Sequence, residues 1–537
     1  MTPTEPDRPV PWWAGAVIYQ VYPRSFADAN GDGVGDLAGL LRRLDHLAGG
    51  DASLGVDAVW LSPVYPSPLA DFGYDIADFM DVGPEYGTLA DLDLLAEACH
   101  ARGLRLLLDL VPCHTSVQHP WFIDARASRG SPRRDWYTWA DPGPDGGPPN
   151  NWRAAFGGSA WELDPSTGQY YLHSFYPEQP DLNWRNPAVA EAIAAALRFW
   201  FARGVDGFRV DAIIHAMKDP LLRDNPPAGP PIAPFPPDPS GQDRIRTVDL
   251  PEVLEVVRTL RRVADEYPGR LLLGEAYLPV DRLARYLDSD DGFQRAFDFE
   301  LSVIAWGADP FRRTIERAER FTPFGLEPTW ALSNHDLVRH ATRFGESRAR
   351  LAALLLLSLR GTICLYAGEE IGMLDAPAAH GPTDDPTYDP THDRAGRDAQ
   401  RTPMQWDASP TGGFTDGQPW LPLVDPARRN VAGQSGDPGS LLNLYRRLIA
   451  LRRSAAALRH GTLSVLDDLP PGLLGWTREA AGDRLLVIAN MRDVVATVNL
   501  GGMGTRGEVL CGTGRRAGSV ALRELRLGPR EGLLLRR

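Results

Sequence analysis

Short β-rich runs alternate with longer amphipathic stretches through most of the 537-residue chain, and this alternation limits the possible folds more than any other feature. Stretches such as TLADLDLLAEACHARG and NPAVAEAIAAALRFWFARG have the spacing of helices with one apolar face. Strands that alternate with helices pair in parallel, and eight such units predict a closed (β/α)8 TIM barrel of the α/β class. The eight predicted strands are Ala16–Tyr22, Val56–Ser62, Leu104–Val111, Val205–Asp211, Arg270–Ala276, Arg295–Leu301, Thr329–His335 and Gly361–Ala367.

Two intervals interrupt this alternation and predict further domains. Residues 114–184 are rich in Pro, Gly, Trp and Asn, which suits a small domain inserted after the third strand. From residue 461 onward the helical patterns give way to alternating runs, which predict a C-terminal β-sandwich over 461–537. The barrel is then built from residues 1–113 and 185–460. A proline-dense segment, Asn225–Pro239, predicts an extended loop at the mouth of the barrel.

Charge and composition exclude several classes of partner. The formal net charge of -14 argues against nucleic acid or an anionic membrane as the main partner. The four cysteines form no CxxC pair, which suits reduced thiols in the cytoplasm. We find no signal-peptide pattern at the N-terminus, and the longest apolar run, Leu351–Leu359, is too short to span a bilayer. We therefore expect a cytoplasmic monomer or homodimer without an organic cofactor.

Unusual polar residues fall at the C-terminal ends of the predicted strands. In an α/β barrel the loops converge at this rim, and active sites form there. One buried ion pair has a structural explanation, but a whole rim of carboxylates, histidines and an arginine indicates a functional site. These residues are Asp109 and His114 after the third strand, Arg209 and Asp211 at the fourth, Glu275 at the fifth, and His335 and Asp336 after the seventh.

Paired carboxylates on such a rim favour glycoside chemistry, which needs a proton donor for the leaving oxygen and a nucleophile or base for the anomeric carbon. Arg209 is two residues from Asp211, so we expect it to lower the pKa of Asp211 and keep this nucleophile ionised. Glu275 follows the apolar run LLLG and faces like charges, which favours the protonated form that a general acid needs. Asp336 is the third carboxylate, and we expect it to hold sugar hydroxyls in the transition state.

On these residues the chain resembles glycoside hydrolase family 13, the α-amylase family. Four blocks appear in the family order, and GVDAVWLSP (Gly55–Pro63) and GTICLYAGEEIG (Gly361–Gly372) support them. The resemblance implies a retaining mechanism with Asp211 as nucleophile, Glu275 as acid/base and Asp336 as transition-state stabiliser. It also implies that Arg209, His114 and His335 bind the sugar. The four blocks are DLVPCH (Asp109–His114), GFRVDAIIH (Gly207–His215), GEA (Gly274–Ala276) and SNHD (Ser333–Asp336).

Three further motifs resemble the branch of oligo-1,6-glucosidases and α-glucosidases: QPDLN (Gln179–Asn183), DFGYD (Asp71–Asp75) and RTPMQWD (Arg401–Asp407). In such exo-acting enzymes, Asp71 and Arg401 are expected to close the pocket around the terminal glucose. Tyr74 is expected to form a platform for the sugar ring, since an aromatic face suits the apolar face of a sugar.

A loop after the first strand, DANGDGVGD, is a candidate calcium site. It places oxygen-bearing side chains at near-alternate positions around glycines, which suits a hard cation such as Ca²⁺ in a structural role. The branch resemblance also implies a calcium loop here. The calcium that amylases bind through an asparagine before the histidine of the first block is not expected, because Cys113 stands in that place. The predicted ligands are the side chains of Asp28, Asn30, Asp32 and Asp36 and the backbone carbonyl of Val34.

The residue after the nucleophile lies beside the bond to be cleaved, and here it is Ala212. In this branch valine accompanies α-1,6 linkages, and smaller or hydroxylated residues accompany α-1,4 linkages. We therefore predict an α-glucosidase that prefers short α-1,4-linked substrates such as maltose. The alternatives are an oligo-1,6-glucosidase, or a glucosyl-transferring or isomerising relative such as a sucrose isomerase, sucrose hydrolase or trehalose synthase. A non-catalytic transporter partner is disfavoured, because all three carboxylates are present.

Overall fold

The chain folds into a barrel with additional sheets, and the computed structural model describes residues 10–230, 235, 240–323, 325–377, 388–389, 394–480 and 482–537. In chain order, the strands are β1 (Val17–Val21), β2 (Ala58–Leu61), β3 (Arg105–Leu110), β4 (Trp139–Ala140), β5 (Trp161–Asp164), β6 (Gln169–Leu172), β7 (Gly207–Val210), β8 (Leu271–Gly274), β9 (Arg295–Asp298), β10 (Thr329–Ala331), β11 (Thr362–Tyr366), β12 (Tyr388–Asp389), β13 (Arg394–Ala395), β14 (Thr462–Val465), β15 (Leu473–Ala480), β16 (Asp483–Asn490), β17 (Ala496–Val498), β18 (Arg506–Gly512), β19 (Gly518–Ala521), β20 (Leu525–Leu527) and β21 (Gly532–Arg536).

Eight parallel strands close the barrel in the order β1-β11-β10-β9-β8-β7-β3-β2, which confirms the predicted fold class. Each of the eight predicted runs contains one of these strands. The strands end earlier than the predicted runs, because the polar residues at the C-terminal ends lie in the loops that follow. Glu275 comes directly after β8, and His335 lies four residues beyond the end of β10.

Helices follow most of the barrel strands and cover the outside of the barrel. Their apolar faces pack against strands whose own side chains are buried, so the main core lies between these two layers. In chain order, the helices are α1 (Leu37–Leu47), α2 (Leu89–Ala101), α3 (Pro120–Ala127), α4 (Pro187–Ala202), α5 (Val253–Asp265), α6 (Val280–Leu283), α7 (Glu300–Val303), α8 (Ala308–Phe321), α9 (His340–Phe344), α10 (Glu346–Ser358), α11 (Val431–Ser435), α12 (Leu441–Ser454) and α13 (Ala456–His460).

Large side chains fill the inside of the barrel, so the site must form at its rim rather than in a central pore. The inward-facing cluster includes Trp60, Leu107, Leu273 and Phe297, and all four are buried. Phe299 extends this cluster toward the C-terminal rim, where its ring stacks on that of Tyr277 with a centroid distance of 4.3 Å.

A three-stranded antiparallel sheet, in the order β4-β6-β5, lies within the segment predicted to be inserted after the third barrel strand. A short bridge between His114 and Asp181 and a second between Tyr137 and Leu182 join the beginning of this segment to its end. The inserted segment therefore leaves and returns beside the C-terminal end of β3. The exact domain boundaries, 1–113 with 185–460, 114–184 and 461–537, stay predictions.

The C-terminal strands form a six-stranded sheet, β14-β15-β16-β21-β18-β19, and a two-stranded sheet, β17-β20. A separate apolar cluster lies between the two sheets, with Leu486 and Leu533 from the larger sheet and Val498 and Leu527 from the smaller one. This is the predicted sandwich arrangement, with its own core beside that of the barrel.

The apolar run Leu351–Leu359 belongs to the barrel core. Most of it forms α10, whose residues Leu351–Leu357 are all buried. Within the described part of the chain, no helix combines the length and the apolar character needed to cross a membrane. The four cysteines are free thiols, as expected, and each is buried.

Candidate active site

Arg209 lies at the centre of the site and contacts three carboxylates. Its side chain is 1% exposed, and its Nη1 donates to Oδ1 of Asp109 at 2.7 Å and to Oδ1 of Asp211 at 2.6 Å. Its Nη2 lies 2.5 Å from Oε1 of Glu275. The parallel register places Asp109 of β3 beside Arg209 of β7, and Asp211 and Glu275 come directly after β7 and β8. One guanidinium therefore holds both the predicted nucleophile and the predicted acid.

Arg209 is not the strongest influence on the pKa values of this cluster. Burial raises the pKa of Asp211 well above its usual range; the attraction of Arg209 opposes this shift, and repulsion from Glu275, Asp109 and Asp336 adds to it. Burial likewise raises the pKa of Asp109 to about 7. Arg209 does lower the pKa of Asp211, as expected, but the net shift is upward, because one guanidinium does not offset burial and three competing carboxylates. Burial therefore favours the protonated forms of Asp211 and Asp109.

Asp336 has the opposite surroundings, since several cationic or polar groups meet one carboxylate. Arg401 Nη2 donates to its Oδ1 at 2.7 Å, and Arg397 Nη1 lies 3.3 Å from the same oxygen. His335 Nε2 lies 3.3 Å from Oδ2. Burial opposes the charge on Asp336, but His335, Arg401 and Arg397 together hold its pKa well below its usual range. Asp336 is therefore ionised at neutral pH, as the predicted transition-state stabiliser requires.

His335 stacks against two aromatic rings. The ring of Tyr74 lies at a centroid distance of 5.4 Å with an interplanar angle of 6°, and that of Tyr22 lies at 5.7 Å with an angle of 18°. The Tyr74 hydroxyl lies 2.7 Å from Nε2, and Nε2 of Gln20 lies 2.8 Å from Nδ1. Burial lowers the pKa of His335 to about 3, so this imidazole is neutral and acts through hydrogen bonds.

Tyr74 lies at the predicted sugar site, but its ring packs on His335 and its hydroxyl takes part in the polar network. The hydroxyl donates to Oδ2 of Asp109 at 3.1 Å and accepts from Arg209 Nη1 at 3.4 Å. The Arg209 guanidinium also lies 5.7 Å from the centre of the Tyr74 ring. Tyr74 therefore links the Arg209 cluster to His335.

Asp71 lies in a second part of the site. Arg401 was predicted beside it, but the arginine that pairs with Asp71 is Arg397. Arg397 Nη2 donates to Oδ1 of Asp71 at 2.6 Å, and Gln179 Nε2 donates to Oδ2 at 3.0 Å. The same Gln179 nitrogen lies 3.0 Å from Nε2 of His114. Arg401 instead contacts Asp336 and the carbonyl of His335, so Arg397 is the arginine that joins Asp71 to Asp336.

The turn after the nucleophile begins at Ala212, whose φ of +41° places a non-glycine residue in the left-handed region. Such a backbone costs about 1–2 kcal/mol and persists where its surroundings hold it. Its N–H donates to Oε2 of Glu275 at 3.0 Å, and the Sγ of Cys113 donates to its carbonyl at 3.0 Å. The strained turn thus positions the acid, and the cysteine that replaces the usual asparagine supports that turn.

The structure brings Gln179 and Arg397 into the site, although the sequence did not predict them as site residues, and it gives a contact to Asp109, which was predicted at the rim without a role. Asp109 and Gln179 lie inside the motifs DLVPCH and QPDLN, so their positions were marked although no contact was assigned to them. Arg397 lies four residues before RTPMQWD, and in a chain rich in arginine nothing distinguishes it. The remaining predicted residues, including His114 and Arg401, lie in one connected network.

The predicted calcium loop has suitable donors, and its carboxylates also support the backbone. Asp28 accepts from the N–H groups of Gly31 at 2.7 Å and Gly33 at 2.8 Å, and Asp36 caps α1 by accepting from Gly39 N–H at 2.6 Å. Asp32 accepts from Val34 N–H at 2.8 Å. A carboxylate has about four lone-pair positions, so these contacts leave oxygen sites for a cation. Among the residues that the structure describes, however, no three His, Cys, Asp or Glu side chains are arranged to hold a metal.

The proline-dense loop is described only in part, since residues 231–234 and 236–239 lie outside the described chain. Its first residue is tied to the inserted segment: Asn151 Nδ2 donates to the carbonyl of Asn225 at 2.8 Å, and Asn225 N–H donates to Oδ1 of Asn151 at 2.9 Å. The path of the rest of this loop stays a prediction.

Comparison with known sequences agrees with this geometry. Residues 20–461 match the family model described as the alpha amylase catalytic domain. A probable alpha-glucosidase of Rhizobium meliloti (strain 1021) is 44% identical over 523 residues, with 92% of each chain covered. An oligo-1,6-glucosidase of Parageobacillus thermoglucosidasius is 38% identical over 528 residues, which cover 90% of this chain and 91% of the relative.

Among the solved structures that are similar to this chain are a glucosyl transfer enzyme and an isomaltulose synthase. The alpha-glucosyl transfer enzyme XgtA is 42% identical, with a TM-score of 0.90, and the match covers 98% of this chain and 100% of XgtA. The isomaltulose synthase PalI from Klebsiella sp. LX3 is 32% identical, with a TM-score of 0.89, and the match covers 99% of this chain and 100% of PalI.

Proposed function

Because this chain is a glycoside hydrolase of the α-amylase family, family 13, we propose that it is a retaining, exo-acting α-glucosidase that releases terminal α-1,4-linked glucose from short substrates such as maltose. The observation that carries this proposal is the contact of one guanidinium with both Asp211 and Glu275. Retaining enzymes hold their two carboxyl groups about 5–5.5 Å apart, close enough for one of them to attack the sugar directly. A shared guanidinium is compatible with that spacing.

The proposed reaction has two displacements at the anomeric carbon. Asp211 attacks this carbon and forms the new C–O bond, while the glycosidic C–O bond breaks and Glu275 gives its proton to the leaving oxygen. Water then attacks the glucosyl-enzyme and returns a proton to Glu275, which releases glucose and frees the Asp211 carboxylate.

Asp336 and the Asp71 network have binding roles in this proposal. Asp336 stays ionised and accepts hydrogen bonds from sugar hydroxyls as positive charge develops at the ring. Asp71, Arg397, Gln179 and His114 form a connected polar wall that limits the pocket to one terminal glucose. A wall of this kind gives exo-action, because a longer chain has no room beyond the terminal residue.

The linkage preference is tested by comparing initial rates of glucose release from maltose and isomaltose at equal concentrations. Faster maltose cleavage supports the role of Ala212, and equal or faster isomaltose cleavage contradicts it. We expect Ala212→Val to lower maltose turnover relative to isomaltose by about 10-fold, since one pocket side chain is worth about 1–3 kcal/mol of discrimination. Ala212→Ser is the matched control, because serine adds an atom without branching and should keep the maltose preference.

Transfer or isomerisation is a second candidate, because the alpha-glucosyl transfer enzyme XgtA and the isomaltulose synthase PalI have the same fold at substantial identity. Tyr277 supports this candidate: it is 37% exposed, stacks on Phe299 and accepts from Asn334 Nδ2 at 3.4 Å. An exposed aromatic ring beside Glu275 offers an apolar surface to an acceptor sugar in place of water. Product analysis with sucrose and maltose would show new disaccharides if transfer dominates, and only monosaccharides if hydrolysis dominates.

We also propose that the DANGDGVGD loop binds a structural Ca²⁺ through Asp28, Asn30, Asp32, Asp36 and the carbonyl of Val34. Removal of the ion with a chelator should lower the Tm, and added Ca²⁺ should restore it, because a cation that binds only the folded state stabilises it. An unchanged Tm on chelation would contradict calcium binding. A cytoplasmic location and a monomeric or homodimeric state stay predictions.

A further inference from the structure

Lys218 is the only lysine among the 56 lysine and arginine residues of the chain. The other 55 of these residues are arginine, so the composition strongly disfavours lysine. A lysine in such a chain is a candidate for a role that arginine cannot fill. Lysine and arginine differ in shape and hydrogen bonding, and they are not interchangeable where the space is confined.

The structure places Lys218 in such a confined position. Its side chain is 10% exposed, and its Nζ lies 3.0 Å from Oδ2 of Asp181. The same nitrogen donates to the backbone carbonyl of His215. Asp181 also accepts from the Ser174 hydroxyl at 2.7 Å and from the Ser174 N–H at 2.8 Å, so both of its oxygens are hydrogen-bonded.

The two acceptors of Lys218 belong to two different walls of the proposed sugar site. Asp181 lies two residues from Gln179, which contacts Asp71 and His114. His215 ends the turn that begins at Ala212, directly after the nucleophile. Lys218 therefore connects the end of the inserted segment to the turn that follows the nucleophile.

The aromatic contacts between these walls depend on the same spacing. The ring of Phe175 lies 5.0 Å from that of His215 and 5.3 Å from that of His114, measured between ring centres. Phe175 directly follows Ser174, the residue that shares Asp181 with Lys218. A shift of Asp181 relative to His215 would move Phe175 and Gln179 together.

An arginine cannot make the same pair of contacts without moving one wall. The ammonium is compact, and all three of its N–H donors are on one nitrogen. It can therefore contact a carboxylate and a carbonyl that lie close together. A guanidinium spreads its donors over three nitrogens in a rigid plane, and the buried pocket between Asp181 and His215 must widen to hold it.

We infer that Lys218 is a positioning residue that sets the distance between the wall carrying Gln179 and Phe175 and the turn after the nucleophile. The kinetic consequence rests on the proposed glucosidase function. Loss of the tie should misplace Gln179, and through it Asp71 and His114, and so weaken substrate binding more than it slows the chemical step at Asp211 and Glu275.

The kinetic test compares Lys218→Arg and Lys218→Met with the wild type, on whichever of maltose, isomaltose and sucrose the wild type cleaves fastest. This choice separates the test from the proposed linkage preference. We expect both variants to raise KM by about 10-fold or more while kcat stays within about 3-fold, since a displacement on the order of 1 Å in a binding wall carries a large cost. Arg185→Met is the control: Arg185 donates to the Lys218 backbone carbonyl at 2.9 Å but does not contact Asp181, and KM should be unchanged.

Unchanged KM values in both variants, even with a lowered Tm, would overturn the inference and leave Lys218 a merely structural role. A Lys218→Arg variant identical to the wild type would also overturn it, because arginine would then serve equally well.

A second measurement does not depend on activity. Lys218 carries the only lysine amine of the chain, so its reaction with ¹³C-formaldehyde and a mild reductant can be followed by NMR without overlap from other lysines. We expect methylation at least about 10-fold slower in the wild type than in Asp181→Asn, which keeps the side-chain size but removes the charged partner. Equal rates would show that the tie to Asp181 does not hold the ammonium.

Discussion

Two carboxylates of the same site lie in opposite electrostatic surroundings. At Asp211, one guanidinium, that of Arg209, contacts three carboxylates. At Asp336, two guanidiniums, those of Arg397 and Arg401, contact one carboxylate. Burial is the largest influence in both places and acts in the same direction. The pKa of Asp211 nevertheless rises and that of Asp336 falls, because three carboxylates share one guanidinium at Asp211, whereas His335, Arg401 and Arg397 together stabilise the charge of Asp336.

This contrast shows how one rim of a barrel holds groups with different charge states at the same pH. In the cluster around Arg209, burial raises the pKa of Asp211 and of Asp109 and favours their protonated forms. The surroundings of Asp336 hold a permanent negative charge where positive charge develops on the sugar. Removing one member of either group should therefore have a distinct and measurable effect.

The largest expected effect follows from removal of the nucleophile. Asp211→Ala should lower kcat by at least about 10⁴-fold, since no other carboxylate of the cluster is placed to attack the anomeric carbon. The Tm should not fall, because the substitution relieves repulsion among three buried carboxylates. Steady-state kinetics with thermal unfolding checks both points, and substantial residual activity in a folded Asp211→Ala enzyme would contradict the role of Asp211.

A smaller effect is expected at the other group. Arg397→Met removes a guanidinium that joins Asp71 to Asp336, while Arg401 continues to hold Asp336. We expect kcat/KM to fall by about 10–100-fold, mostly through KM, because Asp71 loses its cationic partner. Arg360→Met is the matched control, since Arg360 pairs with Glu319 just before β11, at the opposite end of the barrel from the site. An equal loss in both variants would show that Arg397 only stabilises the fold.

The smallest effect concerns the pH dependence of the Arg209 cluster. Asp211 must be ionised to attack, and its raised pKa makes kcat/KM fall as the pH decreases through that pKa. Asp109→Asn removes one repelling charge, so the pKa of Asp211 should fall and the acid limb should move to lower pH by about one unit. The measurement is kcat/KM against pH for both enzymes.

The control for this shift is Asp298→Asn. Burial also raises the pKa of Asp298 to about 7, but the side chain lies at the end of β9, where its contacts are with Glu300 and not with Arg209. Its replacement should leave the acid limb unchanged. An acid limb that stays in place in Asp109→Asn, or moves to higher pH, would contradict the account of the cluster.

The sequence predicted the barrel and most of the site because both depend on local patterns. Each barrel strand is a short apolar run, and residues such as Asp211 and Glu275 lie at the ends of these runs, where the fold brings them together. The balance of charge was not predictable, because it depends on groups that are distant in sequence. Asp109 is 100 residues from Arg209, and Arg397 is 61 residues from Asp336.

The burial of the Arg209 cluster was also not predictable from the sequence. The pair Arg209 and Asp211 alone suggested a lowered pKa for the aspartate. In the folded chain, Trp60 and Tyr74 lie against the guanidinium at 5.2 and 5.7 Å, and they remove the cluster from water. The sequence also did not predict the role of Arg397, because its contact with Asp71 depends on two loops that follow different barrel strands.

The most direct test of the account is the anomeric form of the first glucose released, followed by ¹H NMR on an α-glucoside before mutarotation. A nucleophile and an acid held by one guanidinium predict double displacement, so α-glucose should appear first. If β-glucose appears first, a water molecule attacks in a single displacement, and the assignment of Asp211 as the nucleophile is wrong.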